Sequence, residues 1–211
     1  MLKARLVLQE LVKCGVSCVA GLPDNSSAAL IELLQKDESI RYVPVTREGE
    51  AFAVASGFWM GGGEAAVLVQ NTGFLESGDS VRGTAQRMRA PILCLIMYRG
   101  FGKMPGRERF EQALGSDRVI ASPGVTGQSL LATSRIDIRP TAGADTDISP
   151  ELFSNAAVDS AALVTEPTLR AWGIPFDFLQ TAADLPKIAE AFARAHAESR
   201  PVALLVTGDV C

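Results

Sequence analysis

Histidine is almost missing from this chain, since His196 is the only one in the sequence. A Ser-His or Cys-His hydrolase needs an imidazole beside its nucleophile, and histidine-based metal sites use several such rings. His196 falls in an amphipathic helical pattern late in the sequence, where we expect it to lie at the surface. The sequence therefore argues against a histidine-dependent hydrolase and against a histidine metal site.

A surplus of positive charge is also missing. The chain has 20 Lys and Arg residues against 24 Asp and Glu residues, a net charge of -4, and it has no dense basic cluster for nucleic acid. The longest apolar runs have the length of strands, so no membrane association is expected. The N-terminal pattern is an amphipathic helix without the apolar region and cleavage site of a signal peptide. We therefore expect a cytoplasmic protein.

The sequence also lacks a cysteine framework. Its four cysteines, at positions 14, 18, 94 and 211, form neither a CxxC pair nor a disulfide pattern. We expect buried free thiols. The dinucleotide- and phosphate-binding patterns GxGxxG and GxxxxGK(S/T) are absent as well, so the usual support for those two kinds of site is lost.

What the sequence does have is a regular alternation of apolar runs with helical patterns. Six apolar runs predict strands at 16–20, 40–45, 65–69, 91–97, 174–179 and 201–206. Periodic apolar positions predict helices at 2–13, 48–60, 77–89 and 184–199, and others starting near 28 and 165. The alternation predicts an α/β fold with a six-stranded, mostly parallel sheet and helices on both faces.

The length of 211 residues and the hydrophobic content of 47% suffice for one well-packed domain. The stretch at 118–161 differs from the rest, because it is rich in small and polar residues and lacks sustained periodicity. A structureless loop of that length is unusual in a compact domain. We therefore interpret 1–211 as a single domain with an insertion or mobile segment at about 118–161, preceded by a short helix at 107–114.

The residues around Glu48 predict a strand, an abrupt turn and a helix that begins with carboxylates. Thr46 is the predicted N-cap, and Glu48 and Glu50 make the first turn acidic. Because open parallel sheets bind ligands beyond the carboxyl ends of their strands, Glu48 is a candidate functional residue. An ordinary capped helix with an acidic first turn explains the same residues. Polar loops at 21–27, 70–75 and 98–102 are predicted at the same edge of the sheet.

Four pieces of sequence occur in an order and spacing that are typical of one family. They are Gly21-Leu-Pro-Asp-Asn25, Thr46-Arg-Glu-Gly-Glu50 with Gly57-Phe58, Gln70-Asn-Thr-Gly73, and Thr165-Glu-Pro with Gly173-Ile-Pro175. Through them, residues 1–115 and 164–211 resemble the pyrimidine-binding (PYR) domain of thiamine-diphosphate (ThDP) enzymes, and most closely the sulfopyruvate and phosphonopyruvate decarboxylases. The resemblance implies the PYR-domain fold and ThDP as the cofactor.

The resemblance also implies a catalytic role for Glu48. In this family the matching glutamate hydrogen-bonds N1′ of the cofactor's pyrimidine ring and favours its imino form, which leads to loss of CO2 from a 2-oxo acid and release of an aldehyde. Asn71, Thr72 and Gly73 would bind the cofactor, although Asn71 and Thr72 could merely satisfy loop backbone groups. Glu50 is expected to be solvated or salt-bridged.

Three further residues are candidates for binding the substrate. Asp24 and Asn25 would touch it or the reacting centre, but capping of the following helix explains them equally well. Sulfopyruvate and phosphonopyruvate carry a second anion, which a guanidinium can hold through two parallel hydrogen bonds. Arg99 follows the fourth predicted strand and is the candidate for that role, with a surface or interface ion pair as the alternative. The weaker arginine candidates are Arg82, Arg87 and Arg89.

A partner chain is implied by a motif that this sequence lacks. ThDP enzymes hold the diphosphate and Mg2+ with a Gly-Asp-Gly motif followed by an Asn roughly one helix later. The only comparable Gly-Asp pair here is Gly208-Asp209, two residues from the end. The resemblance therefore implies a beta subunit that holds the diphosphate and Mg2+, no metal site in this chain, and association of alpha chains with one another.

The function that this resemblance implies is the alpha (PYR) subunit of a heteromeric ThDP-dependent 2-oxo acid decarboxylase that acts on sulfopyruvate or phosphonopyruvate. One alternative is a subunit of another ThDP-dependent decarboxylase or carboligase. A second alternative, from another class, is a non-catalytic regulatory protein derived from a PYR domain; the presence of Glu48 argues against it. The sequence does not name the substrate.

Overall fold

The computed structural model describes residues 2–103, 153–154, 158–208 and 210–211. The chain divides into two compact units, Met1–Arg99 with Ile174–Cys211 and, separately, Gly100–Gly173. The predicted helix at 107–114 and most of the predicted insertion at 118–161 lie outside the described residues. Their interpretation, and that of 1–211 as one domain, stays a prediction.

The first unit is built on a six-stranded parallel sheet, which confirms the predicted fold class. Its strands are β1 (Cys18–Gly21), β2 (Arg41–Pro44), β3 (Ala65–Gln70), β4 (Leu93–Met97), β5 (Phe176–Leu179) and β6 (Val202–Val206). Their order across the sheet is β2-β1-β3-β4-β6-β5, and every neighbouring pair is parallel. Every residue of β4 and β6 is buried, as expected for parallel strands covered on both faces.

Helices cover both faces of this sheet. They are α1 (Ala4–Lys13), α2 (Ala28–Lys36), α3 (Glu48–Met60), α4 (Asn71–Glu76), α5 (Gly78–Ser80) and α7 (Pro186–Glu198). α1, α2 and α7 pack with the sheet residues Ala66 and Leu68 in one buried cluster. Because side chains alternate along a strand, Val67 and Val69 point to the other face, where α3 packs on β1 and β3 and contacts α4 and α5.

The strand order reverses between β1 and β3. The chain goes from β1 outward to β2, and then returns to place β3 on the other side of β1. Such a reversal opens a crevice beyond the carboxyl ends of the two strands, where open α/β sheets bind ligands. Gly21, the last residue of β1, pairs with Leu68 of β3, and a Cβ on Gly21 would overlap the carbonyl oxygen of Leu68. Glycine therefore lets the two strands approach at the crevice.

One predicted loop is a helix. Residues 70–75 were expected to form a polar loop, but β3 continues directly into α4 at Asn71. The prediction was wrong because burial outweighs local propensity here: Asn71 and Phe74 are fully buried. The predicted helix at 77–89 is shorter than expected, since α5 continues directly into a π-helical segment, Val81–Gln86, and the helix ends there.

In the second unit, helix α6 (Ser160–Ala171) begins before the predicted start near 165. The Asp159 carboxylate caps it by accepting hydrogen bonds from the backbone amides of Ala161 and Ala162, at 3.0 and 3.3 Å. Pro167 consequently lies inside the helix, whereas a start near 165 would have put it in the first turn. A short 3-10 segment, Phe101–Lys103, belongs to the same unit.

All four cysteines are free. Cys18 and Cys94 are buried as predicted, and burial raises the pKa of the Cys94 thiol to about 12. Cys14 is partly buried and Cys211 is exposed, so the prediction of buried thiols was wrong for these two. None of the helices in the described part of the chain is long and apolar enough to cross a membrane.

Candidate functional site

Glu48 is the first residue of α3, just beyond the carboxyl end of β2. The backbone turns at Arg47, whose extended conformation (φ -140°, ψ 143°) makes it the N-cap. The prediction of Thr46 as the N-cap was wrong by one residue. The Thr46 hydroxyl instead donates a hydrogen bond to the Glu50 carboxylate at 3.0 Å.

The Glu50 carboxylate makes its hydrogen bonds at the start of its own helix. It accepts hydrogen bonds from the backbone amides of Thr46 and Arg47, at 2.9 and 3.2 Å. These amides and the Thr46 hydroxyl lower the pKa of Glu50, and its side chain is exposed. Because the carboxylate satisfies donors that precede the helix, Glu50 stabilises the turn that presents Glu48.

The Glu48 carboxyl lies against the first turn of α4. A Cβ built on the buried Gly73 would overlap the Cγ, Cδ and Oε1 atoms of Glu48. Glu48 itself is half-buried. No donor in the described part of the chain hydrogen-bonds to its carboxyl. The structure therefore brings Glu48 and Gly73 together, and it leaves a carboxyl at the sheet edge with free capacity to bond a ligand.

Asn71 and Arg99 also meet at this edge. Asn71 is fully buried, and its side-chain Nδ2 donates a hydrogen bond to the backbone carbonyl of Arg99 at 3.0 Å. The bond ties the start of α4 to the segment after β4. The Arg99 side chain is exposed, and so is Thr72 in the first turn of α4. Whether these residues contact a cofactor or a substrate stays a prediction.

Asp24 is used within its own loop. Its carboxylate accepts hydrogen bonds from the Ser26 backbone amide at 2.6 Å and from the Ser27 hydroxyl at 2.8 Å, and it also bonds the Ser26 hydroxyl. These donors precede α2, whose N-cap, Ser27, makes no side-chain capping hydrogen bond, so the contacts form a turn before the helix and do not confirm the capping alternative. Asn25 is exposed. Within the described ranges, every hydrogen bond of Asp24 stays in this loop, so the structure shows no link from Asp24 to Glu48.

A tyrosine that the sequence did not single out closes the other side of this loop. The Tyr42 hydroxyl donates to the carbonyl of Gly21 at 3.1 Å. Burial, followed by the nearby negative charge of Asp24, raises the pKa of Tyr42 to about 12. Tyr42 is therefore a structural donor at neutral pH, and its place in a short strand gave no signal of that role.

Three further contacts that the sequence did not predict hold α3 against α4 and α5. Arg47 forms an ion pair with Glu76 at the end of α4. A Cβ on Gly49 would lie 3.0 Å from the Ser80 hydroxyl oxygen, so the start of α3 passes close to α5. The Phe52 and Phe74 rings pack with centroids 6.4 Å apart. A glycine inside a helical segment is the only sequence signal of such close packing.

Within the described ranges, no group of three or more His, Cys, Asp and Glu side chains is arranged to hold a metal ion. The chemistry that the described site offers is that of a carboxyl at a packed helix start. It can accept or donate a hydrogen bond, or hold a proton, for a ligand in the crevice.

Comparisons with known proteins point to one family. The family model described as "Thiamine pyrophosphate enzyme, N-terminal TPP binding domain" matches residues 1–125. A phosphonopyruvate decarboxylase from Streptomyces hygroscopicus is 36% identical over 100 residues, which are 47% of this chain and 25% of that protein. A sulfopyruvate decarboxylase subunit alpha from Methanococcus maripaludis is 32% identical over 94 residues, 44% of this chain and 56% of the relative.

A solved structure agrees at the level of the fold. The 2-oxoglutarate:ferredoxin oxidoreductase from Magnetococcus marinus matches with a TM-score of 0.59 at 13% identity, over 99% of this chain and 29% of that one. The matches to the curated relatives span a quarter to about half of the length of those proteins. The family model, in contrast, matches more than half of this chain and includes β1–β4 and the Glu48 site. The chain therefore belongs to the thiamine pyrophosphate enzymes, through the N-terminal TPP binding domain of that family.

Proposed function

We propose that this chain is the alpha (PYR) subunit of a heteromeric ThDP-dependent 2-oxo acid decarboxylase that acts on sulfopyruvate or phosphonopyruvate in the cytoplasm. The observation that carries the proposal is the Glu48 carboxyl. It stands at the carboxyl edge of the sheet, half-buried on Gly73, and no described residue donates a hydrogen bond to it. The names of the curated relatives support the substrate class.

The residues present fit the pyrimidine end of the cofactor. A ring nitrogen needs one hydrogen-bonding partner that can also hold a proton, and the carboxyl of Glu48 is such a group. When bound, ThDP supplies the carbanion-stabilising chemistry of the reaction. Glu48 would share a proton with N1′ of the pyrimidine. Gly73 lies against this carboxyl, and Asn71 and Thr72 belong to the same helical turn.

The rest of the chain would orient this carboxyl and bind the substrate. Glu50 closes the turn before α3 through two backbone amides, and the Arg47–Glu76 ion pair joins the start of α3 to α4. A rigid acid at a helix start loses little orientation when it acts. Arg99, exposed at the end of β4, would hold the sulfonate or phosphonate of the substrate.

Other parts of the enzyme would come from a second chain. Relatives from Methanococcus maripaludis and Methanocaldococcus jannaschii are named as alpha subunits, which supports a partner subunit. We propose that a beta subunit holds the diphosphate and Mg2+, and that alpha chains associate with each other in the complex. Asp24 and Asn25, in the loop after β1, are the proposed residues on the substrate side of the crevice.

The experiment is co-expression with the beta chain encoded beside it, identified by Gly-Asp-Gly with a downstream Asn. The purified complex is assayed for CO2 release from sulfopyruvate, phosphonopyruvate and pyruvate, with and without ThDP and Mg2+. We expect ThDP-dependent release from one of the two anionic substrates and a large loss on Glu48→Gln. The isolated chain serves as the control, and we expect it to bind ThDP weakly in a calorimetric titration.

Two outcomes would contradict the proposal. Tight stoichiometric ThDP binding by the isolated chain would contradict the division of the cofactor between two chains. A folded complex that binds ThDP but releases no CO2 from any of the three acids would point to a carboligase or to a regulatory protein instead.

A further inference from the structure

Gly73 occupies a helical position where its backbone does not require glycine. It lies within α4, and it is not among the glycines with positive φ, which in the described residues are Gly15, Gly62, Gly100 and Gly173. Alanine is preferred over glycine inside a helix because it loses less conformational freedom. The reason for glycine at 73 must therefore lie in what surrounds it.

The space that a Cβ would need at position 73 is filled by one side chain. The three nearest atoms to a Cβ built there are Cγ, Cδ and Oε1 of Glu48, all in overlap. All three belong to the first side chain of α3. The Glu48 carboxyl thus occupies the space that a side chain at position 73 would need.

The backbones on both sides of this contact are anchored. The side-chain amide of Asn71 donates a hydrogen bond to the Arg99 carbonyl and so anchors α4, and Phe74 is fully buried. The Ser77 hydroxyl donates to the carbonyl of Gly73 at 2.6 Å. On the α3 side, Glu50 fixes the turn that leads to Glu48. Since both helices are held, a methyl group at 73 would displace the flexible part of the contact, which is the Glu48 side chain.

We propose that Gly73 is a positioning residue, whose lack of a side chain allows the Glu48 carboxyl to rest on the backbone of α4 in its working orientation. The importance of that orientation for catalysis rests on the proposed function. The contact itself does not. Gly73 was expected from the sequence to bind the cofactor, and this proposal gives it an action through Glu48 instead.

The first test measures the contact without any cofactor, by thermal unfolding of the full-length chain. The variants are Gly73→Ala, Glu48→Ala and the double variant. Gly57→Ala is the matched control, because Gly57 is also helical but a Cβ there would meet nothing within 4 Å. We expect Gly57→Ala to raise the unfolding midpoint. Gly73→Ala should raise it by less, or not at all, while Glu48 is present, because the Glu48 side chain must move aside.

In the Glu48→Ala background, Gly73→Ala should raise the midpoint about as much as Gly57→Ala does, because the obstacle is gone. If Gly73→Ala alone does not fold, recovery of folding in the double variant gives the same answer. A gain from Gly73→Ala in the presence of Glu48, equal to that of Gly57→Ala, would overturn the proposal. Failure of the double variant to recover would overturn it as well.

The second test uses the co-expressed complex and separates positioning from direct contact. Gly73→Ala should lower kcat by about tenfold or more, which is the size of effect that a misplaced catalytic group produces, with little change in KM. In the Glu48→Gln background it should cause no further loss. If the fall in kcat of the double variant were the product of the falls in the two single variants, Gly73 itself would touch the cofactor or substrate. That result would overturn the proposal. A complex that is inactive with every variant would count against the proposed function, while the unfolding cycle would still decide the role of Gly73.

Discussion

Two carboxylates at the same edge of the sheet are used in opposite ways. The Asp24 carboxylate, in the loop after β1, accepts hydrogen bonds from the Ser26 amide and from the hydroxyls of Ser26 and Ser27. Glu48, at the start of α3, rests on Gly73 and receives no hydrogen bond from the described residues. A position beside a ligand crevice therefore does not tell an acid that stabilises the fold from an acid that can react with a ligand. The number of hydrogen bonds that the carboxylate already accepts does tell them apart.

The largest effect that distinguishes the two carboxylates is expected on removing the acid at Glu48. In the co-expressed complex, Glu48→Gln should lower kcat by at least about a hundredfold, because glutamine keeps the volume but cannot hold the proton. Steady-state decarboxylation kinetics measure this. Glu50→Gln is the matched control and should keep most of the activity. Larger damage from Glu50→Gln than from Glu48→Gln would mean that the catalytic carboxyl has been assigned to the wrong residue.

The next effect concerns Arg99, which is distant in sequence from both acids but follows β4 at the same edge of the sheet. Arg99→Lys should raise KM for sulfopyruvate or phosphonopyruvate by about 10- to 100-fold, because a charge-assisted hydrogen bond contributes about 1.5–3 kcal/mol and lysine lacks the planar fork. KM for pyruvate should change little. Equal small changes for all three acids would remove Arg99 from the substrate site.

A smaller effect tests the structural side of the comparison. Asp24→Ala should lower the free energy of unfolding of the isolated chain by about 1 kcal/mol, since the loop loses its acceptors. Urea denaturation measures this, with the exposed neighbour Asn25→Ala as the control. If Asp24→Ala leaves stability unchanged but abolishes turnover in the complex, Asp24 belongs with Glu48 as a chemical group.

The smallest effect is the pH dependence that Glu50 adds to stability. Amide hydrogen bonds lower the pKa of Glu50 below its ordinary value of 4.5. The group therefore stabilises the fold above that ordinary value, and this contribution is lost as the pH falls through the lower, folded-state pKa. Glu50→Gln should flatten the fall in urea midpoint between about pH 5 and about pH 3. The same fall in midpoint in Glu50→Gln as in the unsubstituted chain would contradict this contribution.

Much of this architecture could be read from the sequence, for reasons that particular residues make clear. The apolar runs of β3, β4 and β6 and the Gly61-Gly-Gly63 break after α3 are strong local signals, and the bounds of α3 were predicted as found. The start of α4 could not be predicted. Gln70-Asn-Thr-Gly73 has the composition of a loop, and only the burial of Asn71 and Phe74 against other elements makes it helical.

The candidate site was predictable in part. The acidic helix start marked Glu48 and Glu50, and the family pattern favoured Glu48, but the two carboxylates differ by only two positions. What separates them is what each contacts: Glu50 folds back onto its sequence neighbours Thr46 and Arg47, while Glu48 makes a tertiary contact with α4. Likewise, the Asn71–Arg99 bond joins segments that follow two different strands, β3 and β4, and no local pattern of either segment carries that information.

The strand order has a further consequence, for the time course of synthesis. β4 pairs with β6 on its outer side, from Leu93 opposite Val202 to Met97 opposite Val206. Residues 98–201 must be made before that partner exists, which takes about 5 to 20 seconds at typical rates of translation. Throughout that interval the fully apolar β4 is an open edge, the kind of strand that pairs with other chains. The nascent protein is therefore most prone to aggregate after its first four strands have formed, and placing β6 removes that risk.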